Sequence, residues 1–199
     1  MKKHKKLIIA AVVILLAAAW VWRYVTMNKY YDDLDNGGYK LYQLGEMVPF
    51  EDDGLDSSTD LNGCYVRADS FVIKNCDDYL NETGFTLPDT YIKPEKLALV
   101  NITLKNESSE EKPLTLTKIG LHSVDSTVKM NWDLLIAANP RLNGHSVISI
   151  AAGEVCSILL PYDLEKARFG SRTWRNIEDS KFYLKVTDVL IVKDILVNE

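Results

Sequence analysis

The chain has 199 residues, enough for one domain of ordinary size behind a short N-terminal segment. Hydrophobic residues make up 47% and charged residues 26% of the chain, a composition that excludes a disordered protein. The five basic residues within 1–23 leave 18 basic against 28 acidic residues in the remainder, a formal net charge of −10. This acidity argues against nucleic acid as a partner.

The chain begins with a basic tail and an apolar stretch. Residues 1–6 contain four lysines, and residues 7–22 (LIIAAVVILLAAAWVW) contain no charged residue. As a helix this stretch spans about 24 Å, and extension through Val25 reaches about 28 Å, close to the hydrocarbon thickness of about 30 Å. We therefore predict a cytoplasmic tail over 1–6 and a single transmembrane helix over 7–25. The residues predicted to contact membrane lipid are Leu7, Ile14, Trp20 and Trp22.

The charges around the apolar stretch predict its orientation. Four lysines precede it, whereas Asp32, Asp33 and Asp35 follow it. Basic residues stay on the cytoplasmic side of a membrane. The sequence thus predicts a single-pass protein of the cell membrane with an extracellular C-terminal domain. A cleaved signal peptide is the alternative, because Ala17-Ala18-Ala19 offers a small-residue cleavage site.

A polar segment and an acidic loop come next. Residues 26–42 are predicted to form a stalk, and residues 43–199 the extracellular domain. The loop 51–63 carries closely spaced Asp and Asn oxygens, the ligands that calcium prefers. Its offsets are EF-hand-like, but the first and last ligand types and the flanking helices are missing, so a solvated turn is the alternative. The candidate metal ligands are Asp52, Asp53, Asp56, Asp60 and Asn62.

The chain contains three cysteines, which allow one disulfide and one free thiol in an oxidising compartment. Cys64 and Cys76 bracket one apolar stretch, and they would meet if that stretch folded back as a hairpin. Cys156 shares strand parity with Ile158 and Leu160, which predicts a small buried side chain. We expect all three to be structural, and the lack of a Cys-x-x-Cys or Cys/His cluster argues against zinc.

The domain from residue 43 onward has the pattern of short strands separated by turns. Residues 98–104 alternate apolar with polar side chains and predict a half-buried strand. The alternation after Cys64 changes phase, which predicts a bulge or bend near Asp69-Ser70. The other predicted strands are Val48–Phe50, Leu114–Leu121 with a phase change, a hairpin of Val147–Ile150 and Val155–Leu160, Phe182–Val186, and Val189–Val197, which is apolar on both faces.

Helical signals in this domain are few. Trp132–Ala138 fits a helical turn or a strand, and Leu164–Glu178 fits at most a short crossover helix, because Gly170 interrupts it. Trp132 and Trp174 would be ligand platforms if exposed, although a tryptophan in a sandwich is more often partly buried. Many short strands with long charged loops predict an all-β fold, a two-sheet antiparallel β-sandwich.

The sequence carries no catalytic or cofactor-binding signature. It has no G-x-S-x-G elbow, no P-loop and no H-E-x-x-H motif. The domain's histidines are His122, in a strand pattern, and His145, in a turn, and no motif spacing links either to a nucleophile. We therefore expect no catalytic residues and no cofactor, with the histidines serving as a strand residue and a surface turn residue.

Three segments carry a resemblance to a known group of proteins: LVNITLKNESSEEKPL, ISIAAGEVCSILLPYDL and FYLKVTDVLIVKDILVN. Over residues 43–199 they resemble the telokin-like, immunoglobulin-like extracellular domains of unknown function on Gram-positive cell-surface proteins. The resemblance implies an immunoglobulin-like sandwich outside the cell and supplies no catalytic residues. Members are commonly lipoproteins, whereas this chain lacks a lipidation cysteine and has an apolar helix instead.

These observations lead to three hypotheses of function. The leading one is a non-enzymatic, membrane-anchored protein whose sandwich contacts another envelope protein or a peptide. The alternative is a calcium- or small-ligand-binding surface module that uses the acidic loop 51–63. The third is a hydrolase assembled by folding, which requires a pocket that joins His122 or His145 to a nucleophile.

Overall fold

The chain divides into two units, Met1–Tyr39 and Lys40–Glu199. The computed structural model describes residues 17–23, 38–50, 60–124, 126–187 and 191–198. In the first unit, residues 17–23 are helical, and Trp20 and Trp22 are exposed.

The predicted membrane segment 7–25 lies mostly outside the described residues, and so do Leu7 and Ile14. Among the residues that the structure describes, no helix combines the length and the apolar character needed to cross a bilayer. The anchor, the cytoplasmic tail and the orientation stay predictions from the sequence.

The described residues form eleven β-strands in two sheets. Their bounds are β1 Tyr39–Gln43, β2 Val48–Pro49, β3 Cys64–Asn75, β4 Lys96–Asn106, β5 Lys112–Thr115, β6 Gly120–Ser123, β7 Thr127–Met130, β8 Val147–Ile150, β9 Val155–Leu164, β10 Phe182–Thr187 and β11 Val192–Leu196. Nine strands form one sheet in the order β1-β11-β10-β6-β7-β9-β4-β3-β2, and β5 pairs with β8 in the other.

The large sheet folds over on itself, so that its two halves face each other across one core. Strand β7 makes the turn, because it pairs with β6 on one side and with β9 on the other. Phe71 of β3 lies 5.3 Å from Phe182 of β10, measured between ring centroids. The Tyr162 hydroxyl of β9 donates to the carbonyl oxygen of Ile119, which precedes β6, at 2.9 Å. The predicted β-sandwich is confirmed, with both facing layers formed by one folded sheet.

Strand β3 confirms the predicted bulge. It pairs with β4 from Cys64 to Asn75, and the register shifts between Ala68 and Ser70. Val66 and Ala68 face the core before the shift, and Phe71 and Ile73 pack against it afterwards. The extra residue moves the apolar set from one parity to the other, so both ends of the strand bury the same face.

The same strand shows that the predicted pairing of Cys64 with Cys76 is wrong. Cys64 begins β3, and Cys76 follows its last residue. At about 3.3 Å per residue, the two Cα atoms are about 40 Å apart, whereas a disulfide requires less than about 7 Å. The stretch between them is one continuous strand and not a hairpin. Cys64, Cys76 and Cys156 are all free thiols.

Two further strand predictions are corrected by long-range pairing. The stretch Leu114–Leu121 is not one strand, because a 3-10 turn at Leu116–Lys118 separates β5 from β6, which belong to different sheets. The predicted hairpin of β8 with β9 does not form. The turn between them is present, with Glu154 N–H donating to the Ala151 carbonyl at 3.0 Å, but β8 pairs with β5 and β9 pairs with β4.

The N-terminal edge of the sandwich also differs from the prediction. Tyr39–Gln43 forms β1, although residues 39–42 were expected in the stalk. Tyr42 is half-buried and packs against the core, which accounts for the ordered strand. The prediction that the last strand is apolar on both faces is only partly correct. The strand buries the charged residues Lys193 and Asp194 beside Ile195.

Three helices cover the described part of the sandwich: α1 Cys76–Thr83, α2 Trp132–Ala138 and α3 Ser171–Arg175. Helix α1 was not predicted, and it covers Leu97 and Leu99 of β4 through Tyr79. Helix α2 settles the choice between helix and strand at Trp132. Helix α3, flanked by 3-10 turns at Lys166–Arg168 and Ile177–Asp179, confirms that the crossover holds only a short helix.

Candidate functional site

The outer edge of β3 is open over its second half. Strand β2 covers only Tyr65 and Val66, and the Gly45 N–H donates to the Ala68 carbonyl at 2.8 Å. From Ser70 to Asn75, no strand among residues 38–50, 60–124, 126–187 and 191–198 pairs with this edge. Such an edge offers unpaired backbone groups to another strand.

The hydrogen bonds identify which backbone groups point outward. The Phe50 N–H donates to the Cys64 carbonyl at 3.0 Å, so even-numbered residues face outward before the bulge. After the bulge the phase changes, because Ser70 is opposite Asn101. The antiparallel alternation then directs the N–H and C=O groups of Phe71 and Ile73 away from β4. Between them, the side chain of Val72 is on the outer face of the sheet, and the residue is 44% exposed.

A second candidate site is a cleft of about 500 Å3 on the outer face of β6, β10 and β11. His122 of β6 and Asp194 of β11 are joined across β10 by a hydrogen bond of 3.1 Å between Nε2 and Oδ2. The His122 ring stacks on Tyr183, with centroids 5.4 Å apart. The cleft is further lined by Gly120, Lys185, Ser126 and Thr127.

This arrangement confirms that His122 is a strand residue with a hydrogen-bond partner. His145 follows the turn at Asn143-Gly144, as predicted, and its N–H donates to the Leu142 carbonyl at 2.9 Å. The hydrolase hypothesis requires a hydroxyl or thiol in contact with a histidine ring. In the part of the chain that the structure describes, His122 shares its cleft with hydroxyl groups, but the hydrogen bond of its ring goes to Asp194.

The acidic loop is described only at its C-terminal end. Asp52, Asp53 and Asp56 lie outside the described residues. Asp60 accepts a hydrogen bond from the Lys112 ammonium at 2.7 Å and one from the Asn62 N–H at 3.0 Å, and these two donors lower the pKa of the carboxyl group. Within the described ranges, no group of three His, Cys, Asp or Glu side chains is placed to hold a metal.

The two predicted tryptophan platforms have different environments. Trp174 packs against the core, with its ring centroid 6.1 Å from that of Phe169. Trp132 begins α2 and is 38% exposed. Neither residue lines the cleft.

Burial disfavours the thiolate form of the cysteines, of which Cys64 and Cys76 are buried and Cys156 is half-buried. It raises the pKa of the Cys76 thiol to about 11, from an ordinary value of 9.0, and raises the pKa of Cys64 and Cys156 as well. Because the thiolate is the reactive form, we expect iodoacetamide to modify Cys76 at pH 8 about 100-fold more slowly in the folded chain than in urea. A cysteine introduced at the exposed Ile92 is the control for rapid modification. Fewer than three reactive thiols in urea without a reductant would show a disulfide instead.

Comparison with known proteins identifies a family. The family model described as Domain of unknown function (DUF5028) matches residues 39–189. No curated protein matches the chain.

Several solved structures match the chain, and three of them are described here. The yjhA protein from Bacillus subtilis is 10% identical, with a TM-score of 0.43, over 79% of this chain and 99% of that one. A conserved hypothetical protein from Bacillus anthracis is 15% identical, with a TM-score of 0.40, over 72% of this chain and 87% of that one. An uncharacterized β-sandwich protein from Clostridium difficile is 11% identical, with a TM-score of 0.40, over 80% and 96%.

Proposed function

The chain belongs to the DUF5028 family, and from this premise we propose that it is a non-enzymatic protein, anchored in the cell membrane, that binds an extended segment of an envelope protein outside the cell. The observation that carries the proposal is the open edge of β3 from Ser70 to Asn75. An extended segment that adds a strand to such an edge gains main-chain hydrogen bonds without needing a pocket.

The anchoring part of the proposal is supported by the sequence. Four lysines precede sixteen residues without charge, and an acidic domain follows. That order favours insertion with the lysines in the cytoplasm. The proposal includes the immunoglobulin-like character of the sandwich and its resemblance to telokin-like surface domains.

The edge of β3 has the geometry that strand addition requires. The outward N–H and C=O groups of Phe71 and Ile73 would form the main-chain bonds with the partner. The side chains of these two residues pack against the core and hold the strand in place. Val72 is on the solvent side, where it would contact side chains of the added strand.

The open edge predicts an alternating pattern of amide exchange. In the full chain held in detergent micelles, we expect the N–H of Phe71 and Ile73 to exchange rapidly with solvent deuterium and that of Val72 to exchange slowly, because only Val72 donates to β4. Nuclear magnetic resonance of the 71–73 amides measures the rates. Equal protection at all three positions would show that another segment already occupies the edge, and the proposal would fail.

Crosslinking in intact cells tests the partner. With a photoreactive benzoylphenylalanine at Val72, we expect one discrete adduct, and the Val72→Asp chain should show weaker co-purification of that partner than the Val72→Thr chain. The control places the same photoreactive group at Ile92, which is 86% exposed but lies in a loop. An adduct pattern that is the same at both positions, or no adduct at Val72, would contradict strand addition at β3.

A further inference from the structure

The Asp194 carboxylate has an oxygen atom without a hydrogen-bond partner. Its side chain is only 4% exposed, and Oδ2 is bonded to His122. Within the described residues, Oδ1 is buried and accepts no hydrogen bond. A buried acceptor without a donor is costly, so native proteins rarely keep one except where water, an ion or a ligand completes it.

This oxygen atom belongs to a residue that lines the cleft of about 500 Å3. That volume is within the range of small-molecule sites. At Gly120 a Cβ atom would meet nothing within 4 Å, so the glycine leaves open space at the cleft wall. The cleft therefore combines space for a small molecule with one strong, unsatisfied acceptor.

The other groups around the cleft limit the chemistry of the ligand. Lys185 is opposite Asp194 in the β10–β11 ladder, and the His122 ring is bonded to the same carboxylate, so the cleft is lined by both a cationic and an acidic side chain. Ser126 and Thr127 add hydroxyl groups that can donate and accept. A cationic ligand would be repelled by Lys185, and an anionic ligand by Asp194.

We propose that this cleft binds a neutral, polyhydroxylated ligand of saccharide size, with one ligand hydroxyl donating to Asp194 Oδ1. The ligand's other hydroxyls bond to Ser126, Thr127 and the backbone near Gly120. Because Oδ1 is buried when the cleft is empty, binding requires a side chain at the cleft wall to move aside. The site is separate from the edge of β3, so failure of either proposal leaves the other standing.

Titration of the full chain with named sugars tests the site. The probes are glucose and N-acetylglucosamine, with glucosamine and glucuronate as their cationic and anionic counterparts. We expect a neutral sugar to shift the amide resonances of Gly120, Lys185 and Asp194 saturably. Asp194→Asn should bind the neutral sugar at least about tenfold more weakly, because an NH2 group replaces one of the two carboxylate oxygens and so removes one acceptor. The matched control is Asp179→Asn, an exposed acidic residue outside this cleft, which should bind as the wild type does.

A second variant covers the case in which Asp194→Asn fails to fold. Gly120→Val should fold normally, because valine has the higher strand propensity and its Cβ meets no neighbouring atom. The valine side chain fills space at the cleft wall, so this variant should lose binding. The proposal is overturned if no neutral sugar shifts the cleft amides at tens of millimolar, if glucosamine or glucuronate binds more tightly than the neutral sugars, or if Gly120→Val binds as wild type does.

Discussion

Replacing Asn106 with alanine is expected to lower the free energy of unfolding by about 3 kcal/mol, because it empties a buried site and removes three hydrogen bonds, one of them to the buried Ile150 carbonyl. The side chain is fully buried at the end of β4. Its Nδ2 donates to the carbonyls of Glu110 at 2.7 Å and Ile150 at 2.8 Å, and its Oδ1 accepts from the Ser108 N–H at 2.9 Å. One amide thus holds the β4–β5 turn and joins the large sheet to β8.

Urea unfolding of the full chain measures this loss, and two variants isolate its cause. Asn101→Ala lies on the same strand, but its amide is exposed and, among the residues that the structure describes, is bonded only to the Ser70 hydroxyl at 3.3 Å, so the expected change is below about 0.5 kcal/mol. Asn106→Asp keeps the acceptor for Ser108 but places a buried carboxylate oxygen against the two carbonyl oxygens, so at neutral pH it should destabilise the chain at least as much as alanine does. Equal stability of Asn106→Ala and Asn101→Ala would contradict the role of Asn106 in joining the sheets.

The sequence was sufficient to predict features that depend on local alternation. The phase change near Asp69 predicted the β3 bulge, because a strand with one buried face must insert a residue when its apolar parity changes. Long-range pairing could not be predicted in this way. The turn before Val155 is a typical hairpin turn, yet β9 pairs with β4, since ten residue pairs there outweigh a local contact with β8.

Helix α1 has local start and stop signals in the sequence. The Asn75 side chain accepts from the Asp77 N–H at 2.9 Å as an N-cap, and Gly84 ends the helix at a φ of 72°. An Asn followed by two Asp residues, with a Gly nine positions after the cap, is a readable start and stop pattern. The apolar stretch between Cys64 and Cys76 also fits a hairpin, and local signals alone do not distinguish that hairpin from a strand followed by a helix.

The two candidate sites lie at the limits of sequence reasoning. His122 and Asp194 are 72 positions apart, and only the β6–β10–β11 order brings them together. The open edge of β3 depends on where β2 ends, which alternation in β3 alone does not reveal.

Asp163 is the second position where a substitution should have a large effect. Its carboxylate is buried and accepts from the Tyr91 hydroxyl and, at 2.8 Å, from Asn131 Nδ2. The network fastens the loop that contains Tyr91 and the N-cap of α2 to β9. Asp163→Ala leaves both donors without an acceptor, so we expect a loss of about 2–3 kcal/mol in urea unfolding. Asp163→Asn retains an acceptor and a donor of the same size and should cost less.

The same residue predicts a dependence of stability on pH. Burial raises the pKa of Asp163 above its ordinary value of 3.8, against the opposing effect of the hydrogen bonds from Tyr91 and Asn131. Between 3.8 and the raised value, the folded state holds this proton more often than the unfolded state does. The free energy of unfolding contributed by Asp163 therefore falls as pH rises through that window.

Comparison of wild type with Asp163→Asn isolates this contribution, because asparagine has no proton to exchange and other groups titrate equally in both chains. The wild-type value minus the Asp163→Asn value should fall as pH rises from about 4 and level off above the folded pKa. Tyr91→Phe removes a hydrogen bond that favours the carboxylate, so it should extend the window to higher pH. A difference that stays constant or rises with pH would mean that the hydrogen bonds outweigh burial at Asp163.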